Sequence, residues 1–340
     1  MAIRVKCLLL KSKIFNMQVQ KTDRLPGEYT SLVERLYGCS TAVSRYIDDS
    51  LKGYEKIEAG KQKATFFVAT EKEKLLGIVS LIPTETDLAF FGFFECENEL
   101  VCQKLWNSVL DEAKMLGVKT LVGPVNGTIW HPYRFVSSSN GEPFFPTEPI
   151  TRIEYSQWFS KLSYSKKLEY HSAYRTDFTP ILESTRKSFN TLQGNGYKFS
   201  VEDVNSENVQ ELYQLAVEVF SKNPGYTHLS INEFVSLYSS EKFSQSSSQL
   251  YTARHEGKLV GFCLNLAFGN ELVMKTIAVS NEFQLMGIGN ALVHKVHLDA
   301  VERGVSKVIY GLVRKDNNVK YFPTDKLTVF REYVAYIFNI

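Results

Sequence analysis

The chain reads VSNEFQLMGIGNAL over residues 279–292, and this stretch decides the fold. The β-branched run at 271–279 predicts a strand before it, and the apolar residues from Ile288 onward recur at helical spacing. Between them, Gly287 and Gly289 permit a tight turn and close backbone approach to a ligand. Outward-pointing amides and the positive end of the helix dipole favour an anion there. The turn therefore predicts a diphosphate site that requires no lysine.

Two other phosphate loops do not fit this stretch. A dinucleotide fold requires Gly-x-Gly-x-x-Gly, but Leu292 stands at the third glycine position. A Walker loop requires Gly-Lys-Ser/Thr, which the turn lacks. Gln284 stands three residues before Gly287, and an antiparallel meander is predicted to precede the turn.

The chain also contains an internal repeat. Residues 68–77 align with 252–261 at an offset of 184 (253 minus 69), and both read as a hairpin whose second strand begins Lys-Leu-x-Gly. A third strand, a long helix and a further strand follow in each copy. The two helices end at Gly117 and Gly304, an offset of 187 (304 minus 117), so the second copy has about three extra residues where the phosphate turn lies.

A length of 340 residues favours two domains. We expect an α+β fold with two tandem domains of mixed, mostly antiparallel sheets, at residues 14–183 and 195–340. The boundary is expected near 184–196, where Gly and Asn mark a turn. In the first domain, residues 29–51 are predicted to be helical.

Composition limits the possible partners. The net charge of +2 gives no support for a nucleic-acid partner. Five cysteines without zinc spacing predict free thiols in a reducing compartment, and His294 and His297 are interpreted as surface or half-buried groups rather than metal ligands. No secretion signal or membrane span is evident, so we expect a soluble cytoplasmic protein without metal or membrane partner.

The turn and the strand before it resemble a motif of a known protein family. The pattern Gln284-x-x-Gly287-x-Gly289 after a β-strand resembles motif A of the GCN5-related N-acetyltransferase (GNAT) superfamily. The resemblance implies an acyl-CoA site with acetyl-CoA as co-substrate, in which the strand contacts pantetheine and the turn binds pyrophosphate. It assigns this role to Ile277, Ala278, Val279, Gln284, Leu285, Met286, Gly287, Ile288, Gly289 and Asn290.

The first copy departs from that motif. It has no glycine in the corresponding turn, which instead contains Glu95, Glu97 and Glu99. Like charges would repel a diphosphate. We therefore predict a degenerate first domain that does not bind CoA in the usual way.

The chemistry requires a positioned amine and a proton for the leaving thiolate. Members of the family often supply that proton from a tyrosine on the last helix, which makes Tyr321 the catalytic candidate. Pro323 breaks this helix early, and the usual spacing is not reproduced, so a packing role is the alternative. No general base stands out.

A second unusual stretch reads GPVNGTIWHPYRF over residues 123–135. It resembles a stretch in a bacterial group of tandem acetyltransferase-like proteins, a resemblance that names no substrate. Loops dense in aromatic and basic side chains often bind ligands. Trp130, His131, Tyr133 and Arg134 are thus candidate substrate residues, and a loop held by aromatic packing is the alternative.

Together these observations predict an N-acyltransferase that transfers an acetyl or other acyl group from CoA to an amine by direct attack in a ternary complex. The acceptor is expected to be a small molecule or a peptide. A non-catalytic acyl-CoA-binding or scaffold protein remains an alternative. So does a tandem transferase with another donor such as aminoacyl-tRNA. The sequence does not indicate the oligomeric state.

Overall fold

The computed structural model describes residues 17–60, 63–202, 208–238, 247–316 and 322–340. The helices are α1 (Tyr29–Tyr37), α2 (Thr41–Ala59), α3 (Glu99–Met115), α4 (Ile153–Phe159), α5 (Thr179–Gly194), α6 (Val209–Phe220), α7 (Ile231–Tyr238) and α8 (Ile288–Glu302). The strands are β1 (Gln18–Thr22), β2 (Thr65–Glu71), β3 (Lys74–Pro83), β4 (Leu88–Cys96), β5 (Thr120–Gly123), β6 (Phe135–Ser139), β7 (Lys166–Arg175), β8 (Lys198–Glu202), β9 (Ser247–His255), β10 (Lys258–Phe268), β11 (Glu271–Val279), β12 (Lys307–Arg314) and β13 (Thr328–Asn339).

The chain forms two compact units, and each copy of the repeat supplies one of them. Unit 1 comprises the described residues up to Ser137 together with Pro149–Leu168 and Val334–Ile340. Unit 2 comprises Ser138–Glu148 and Glu169–Tyr333. These divisions differ from the expected 14–183 and 195–340, because the last residues of the chain complete the sheet of unit 1.

Unit 1 has a mostly antiparallel sheet. Its strands run in the order β1-β2-β3-β4-β5, followed by the end of β13, and only β4 and β5 are parallel. Tyr336–Asn339 of β13 pair antiparallel with Gly123–Thr120. A core rich in aromatic residues covers one face, where Phe91 and Phe159 stack with ring centroids 5.3 Å apart.

Unit 2 repeats this plan with strands in the order β8-β9-β10-β11-β12-β7. Again one pair, β11 and β12, is parallel, as a β-strand–helix–β-strand connection through α8 requires. Helix α8 packs on the sheet through residues such as Leu292 and Val296, which are fully buried. The expected α+β class with mixed, mostly antiparallel sheets is therefore confirmed.

Two local expectations need correction. The helix expected over 29–51 is two helices, because Gly38 adopts φ of 78° and Ser40 then caps α2, its Oγ accepting from the Val43 N–H at 3.3 Å. The boundary expected near 184–196 lies mostly within α5, which ends at Gly194, so the turn signal at 193–196 marks the end of this helix. Residues Ile181, Phe189 and Leu192 of α5 are buried in the core of unit 2.

Among the helices that the structure describes, none is both long and apolar enough to cross a bilayer.

Candidate functional site

The strands β11 and β12 of unit 2 separate halfway along their length. Their parallel ladder runs from Glu271 paired with Lys307 to Met274 paired with Tyr310 and then stops. Just beyond, the register against β10 shifts and leaves Lys275 as an extra residue, which bends β11. The second half of β11 therefore lies beside a gap in the sheet, where it does not pair with β12. An extended ligand could pair only with a strand edge that is open in this way.

The turn after β11 has the backbone of an anion site. Leu285 and Gly287 have φ of 65° and 87°, and Gly287 is the residue that precedes α8. A side chain at Gly287 would be strained, and its Cβ would lie 3.2 Å from Ser188 Oγ on α5. Leu285 is 94% exposed, so the turn projects from the unit.

The amides of this turn are available to a ligand. In the described part of the chain, Phe283 donates to the Ser280 carbonyl and Ala291 to the Gly287 carbonyl, but no backbone N–H of residues 284–290 donates a hydrogen bond. The approach to the turn is held by Glu218, whose Oε1 accepts from the Asn281 N–H at 2.6 Å and from Ser280 Oγ at 3.0 Å. The turn is thus fixed at its start and open where a phosphate would bind.

A cavity of about 450 Å³ joins the strand, the turn and the helix start. Nine of the ten residues predicted to bind acyl-CoA line it: Ile277, Ala278, Val279, Gln284, Leu285, Gly287, Ile288, Gly289 and Asn290. Met286 is half-exposed and does not line it. The volume is within the usual range for small-molecule and cofactor sites.

Five lining residues were not predicted from the sequence: Ser184, Thr185, Val219, Phe283 and Phe322. Ser184 and Thr185 belong to α5, which the sequence analysis treated as a boundary. The signal that could have revealed this helix is the spacing of Ile181, Thr185, Phe189 and Leu192, four, four and three residues apart.

The two histidines of α8 are buried rather than exposed or half-buried as expected. His294 Nδ1 lies 2.9 Å from Thr185 Oγ1, and His297 Nε2 lies 2.8 Å from Tyr310 Oη. Burial lowers the pKa of His297 to about 4, and it also lowers the pKa of His294. Both are neutral hydrogen-bonding groups that join α8 to α5 and β12.

In unit 1 the corresponding turn is closed. Helix α3 begins directly after Asn98, whose Oδ1 accepts from the Val101 N–H at 3.1 Å. A side chain of the protein therefore caps the helix where unit 2 leaves amides available. Arg152 Nη1 also donates to the carbonyls of Cys96 and Glu97, at 3.3 and 3.1 Å.

The charges of that turn differ from the expectation that three carboxylates would simply repel a diphosphate. Glu97 pairs with Arg35 and Lys74, and Glu99 pairs with Lys161. Glu95 is fully buried and accepts hydrogen bonds from three phenols, which are Tyr37 and Tyr46 at 2.7 Å and Tyr155 at 3.0 Å. The three carboxylates of this turn are therefore paired or buried, and the helix start beside them is capped by Asn98.

The gap between β4 and β5 is also filled in unit 1. Their parallel ladder ends at Phe90 paired with Val122. Beyond it, the Val125 N–H donates to the Phe91 carbonyl at 2.7 Å, and Asn126 Oδ1 accepts from the Phe93 N–H at 2.7 Å. Residues of the GPVNG stretch thus occupy the position that pantetheine is expected to take in the other copy.

The four predicted substrate residues lie in unit 1, directly after the GPVNG stretch. His131 is buried, and Trp130, Tyr133 and Arg134 are half-buried. Arg134 places its guanidinium carbon 3.7 Å from the centre of the Tyr133 ring and donates to Tyr133 Oη at 2.7 Å. Their role in substrate binding stays a prediction.

The predicted catalytic Tyr321 lies outside the described residues. Of the other late tyrosines, Tyr333 donates to Glu148 and to Ser172 Oγ, the latter at 2.9 Å, and Tyr336 donates to the Ser156 carbonyl at 3.0 Å. Both are fully buried, so neither is a candidate proton donor.

Residues 209–321 match the family model described as Acetyltransferase (GNAT) family. Among curated proteins, none matches the chain. This stretch contains the turn and most of the residues that line its cavity.

Solved structures extend the likeness over both units. The GCN5-related glucosamine N-acetyltransferase region of a fungal multi-domain GH3 β-N-acetylglucosaminidase aligns with 95% of the chain at 13% identity and a TM-score of 0.58, and the chain spans 38% of that protein. A tandem GNAT protein from the clavulanic acid biosynthesis pathway aligns over 95% of this chain and 98% of its own, at 12% identity and a TM-score of 0.53. A GCN5-related N-acetyltransferase from Sphaerobacter thermophilus covers 94% and 95%, at 12% identity and a TM-score of 0.51. The fold is therefore that of tandem GNAT proteins.

Proposed function

We propose that unit 2 binds an acyl-CoA, most simply acetyl-CoA, and transfers its acyl group to an amine. The observation that carries this proposal is the set of backbone N–H groups at residues 284–290, which make no hydrogen bond in the described part of the chain and border one cavity with the unpaired half of β11. Amides arranged in this way at a helix start suit a diphosphate. The unpaired strand edge suits an amide-containing arm.

The reaction follows from this arrangement. The amine nitrogen attacks the thioester carbonyl carbon, the new C–N bond forms as the C–S bond breaks, and CoA leaves as a thiolate. The amine loses one proton and the thiolate gains one, so the products are an amide and free CoA. Unit 2 contributes chiefly by holding donor and acceptor together. Tyr321 is the proposed source of the thiolate proton.

Unit 1 is proposed to have no CoA site of its own, because its helix start and strand gap are occupied by Asn98 and Asn126. Its loop residues Trp130, His131, Tyr133 and Arg134 stay proposed ligand-binding residues of this unit. A cytoplasmic location, where acyl-CoA donors are made, fits the proposal.

Calorimetric titration with acetyl-CoA, followed by measurement of thiol release against a panel of amines, tests the function. We expect one molecule of acetyl-CoA per chain and thiol release that depends on the amine. Binding without release against any amine would favour the acyl-CoA-binding or scaffold alternative. Absence of binding would refute the proposal.

The variants Gly287→Ala and Gly304→Ala provide a matched pair for the same titration. Both glycines have positive φ, 87° and 66°, so both substitutions strain the backbone by about 1 kcal/mol. Of the two, only Gly287 belongs to the turn and faces Ser188, whereas no described residue lies within 4 Å of a Cβ at Gly304. We expect a loss of acetyl-CoA affinity for the first variant alone.

A further inference from the structure

A second cavity in unit 2, of about 290 Å³, lies next to the first. The two cavities share Phe322, and α5 lines both, through Ile181 in the second and through Ser184 and Thr185 in the first. Tyr310 of β12 also lines the second cavity, and it is the residue at which the ladder between β11 and β12 stops. A ligand in this cavity would therefore lie beside the gap proposed for the acyl donor.

The wall of this cavity is largely apolar, but it also presents basic and imidazole side chains. Ala173, Ile181, Val313, Leu327 and Val329 provide much of the apolar surface. Among the described lining residues, the ionisable groups are the phenol of Tyr310 and the side chains of His171, Arg175, Arg314 and Lys315, and none is a carboxylate. Arg314 and Lys315 have partners elsewhere, in Asp316 and Glu332.

Arg175 is the unusual member of this set. It is only 1% exposed, and its two terminal nitrogens donate to the backbone carbonyls of Asp325 and Pro323. Among the described residues, its Nε has no hydrogen-bond partner and no carboxylate pairs with it. A guanidinium has five N–H donors, so this cation retains donors for a further acceptor.

The other fully buried arginine of unit 2 shows what such a group ordinarily requires. Arg331 is also 1% exposed, but Glu148 accepts from its Nη1 at 2.5 Å and is itself completely buried. Burial of a charge without an opposite charge is costly. Arg175 is as deeply buried as Arg331, but it has no partner that corresponds to Glu148 among the described residues. It borders a cavity that is large enough to admit the carboxylate of a ligand.

From this contrast we infer that the second cavity is the acceptor site, and that it takes a small apolar amine bearing a carboxylate that pairs with Arg175. The inference rests on the proposed acyltransferase function and specifies its acceptor class. A dry engineered cavity of about 150 Å³ holds benzene, so about 290 Å³ accommodates an amino acid with an aromatic or branched side chain. Attack by its amine on the thioester would form the N-acyl amino acid and release CoA.

The test compares three acids with their amides as acceptors: L-phenylalanine, L-leucine and L-methionine against L-phenylalaninamide, L-leucinamide and L-methioninamide. With acetyl-CoA as donor, kcat/KM is measured from thiol release, and binding to the CoA-loaded protein is measured by calorimetry. We expect at least one acid to be preferred over its amide by roughly tenfold or more, since a paired charge contributes on this scale.

Two sets of variants locate the preference at this cavity. Val329 is 49% exposed and lines the cavity, so Val329→Glu and Val329→Gln should both fold, but only the glutamate adds a competing anion. We expect Val329→Glu to reduce the acid-to-amide ratio at least tenfold and Val329→Gln to preserve it. Arg175→Met should abolish the preference for the acid over the amide, and Arg175→Lys should retain part of it. Arg303→Met, at an exposed site, should leave the preference unchanged.

The outcomes separate this inference from the function on which it rests. Acetyl-CoA binding without preference for any acid, in binding or in turnover, would overturn the acceptor class while the acyl-CoA site stands. A preference that Val329→Glu leaves intact would place the carboxylate elsewhere and equally overturn it. A failure to bind acetyl-CoA would refute the acyltransferase proposal itself.

Discussion

Asn126 Oδ1 accepts a hydrogen bond from the backbone N–H of Phe93 at a distance of 2.7 Å, and both residues are buried. The bond joins the loop after β5 to the middle of β4, beyond the end of their parallel ladder. In unit 2 the strands separate at the corresponding place and border a cavity. Val125 and Asn126 thus fill in unit 1 the strand gap whose counterpart in unit 2 is the proposed ligand site.

Replacement of Asn126 by alanine tests how much this hydrogen bond contributes to stability. The Phe93 N–H would lose its acceptor while remaining buried, at a cost of about 1–3 kcal/mol in the free energy of unfolding. Acetyl-CoA affinity should not change, because the proposed site lies in unit 2. Urea denaturation measures the first quantity and calorimetry the second.

The control for this substitution is Asn140→Ala, whose Oδ1 accepts from the Glu142 N–H at an exposed site. There water can replace the lost acceptor, so the change in stability should be close to zero. Equal destabilisation by the two substitutions would show that Asn126 has no special structural role.

A second prediction concerns charge at the phosphate turn. Among the described residues, only Ile277 Cδ1 comes near a Cβ at Gly289, at 4.0 Å, so both Gly289→Gln and Gly289→Glu should fold. The two side chains are similar in size, but the glutamate places a negative charge among the amides that are proposed to bind a diphosphate. We expect acetyl-CoA affinity to be at least tenfold weaker for glutamate than for glutamine, with the difference shrinking at high salt. Equal affinities in calorimetry at low salt would place the diphosphate elsewhere.

The sequence was sufficient for the turn because the signal there is local. Glycines at positions that need positive φ or open space, together with a strand before and a helix after, define the geometry without knowledge of distant residues. The family resemblance named ten residues as the acyl-CoA site, and the structure brings nine of them to one cavity. The repeat, read from turn chemistry and element order, likewise predicted the two-unit fold.

What the sequence could not reveal depends on contacts between residues far apart in the chain. Nothing local indicates that Asn126 bonds to Phe93, or that Tyr37, Tyr46 and Tyr155 surround Glu95. The charges in the first turn therefore suggested repulsion, whereas the structure shows them buried or paired. Arg175 was also missed, because a buried arginine and an exposed one look alike in sequence.

The third prediction uses the pH dependence of Glu95. Burial raises its pKa from 4.5 to about 7, while the three tyrosine hydrogen bonds act in the opposite direction. Because the folded pKa lies above the unfolded one, the related stability is complete below pH 4.5 and is lost as the pH rises through 7. Glu95→Gln removes this titration, so relative to the wild type it should gain roughly 3 kcal/mol between pH 4.5 and pH 8, at 1.36 kcal/mol per pKa unit.

Urea denaturation at several pH values across this window measures the difference. Glu256→Gln removes a carboxylate from an exposed turn, without the burial of Glu95, and serves as the control. A constant difference between Glu95→Gln and the wild type would show that Glu95 titrates alike in the folded and unfolded chain.

The last prediction concerns the buried ion pair of unit 2. Glu148 accepts from Arg331 at 2.5 Å, from the Phe145 N–H at 2.9 Å and from Tyr333, and it is completely buried. Arg331→Met would leave the carboxylate of Glu148 unpaired. It should therefore lower the free energy of unfolding by about 3–5 kcal/mol. Arg331→Met combined with Glu148→Gln removes both charges, so it should recover much of that loss, because the amide oxygen can still accept from the Phe145 N–H and the amide NH2 can donate to the Tyr333 hydroxyl. A double-mutant cycle by urea denaturation gives the coupling, and additive losses from the two substitutions would mean that the pair contributes no interaction beyond its separate contacts.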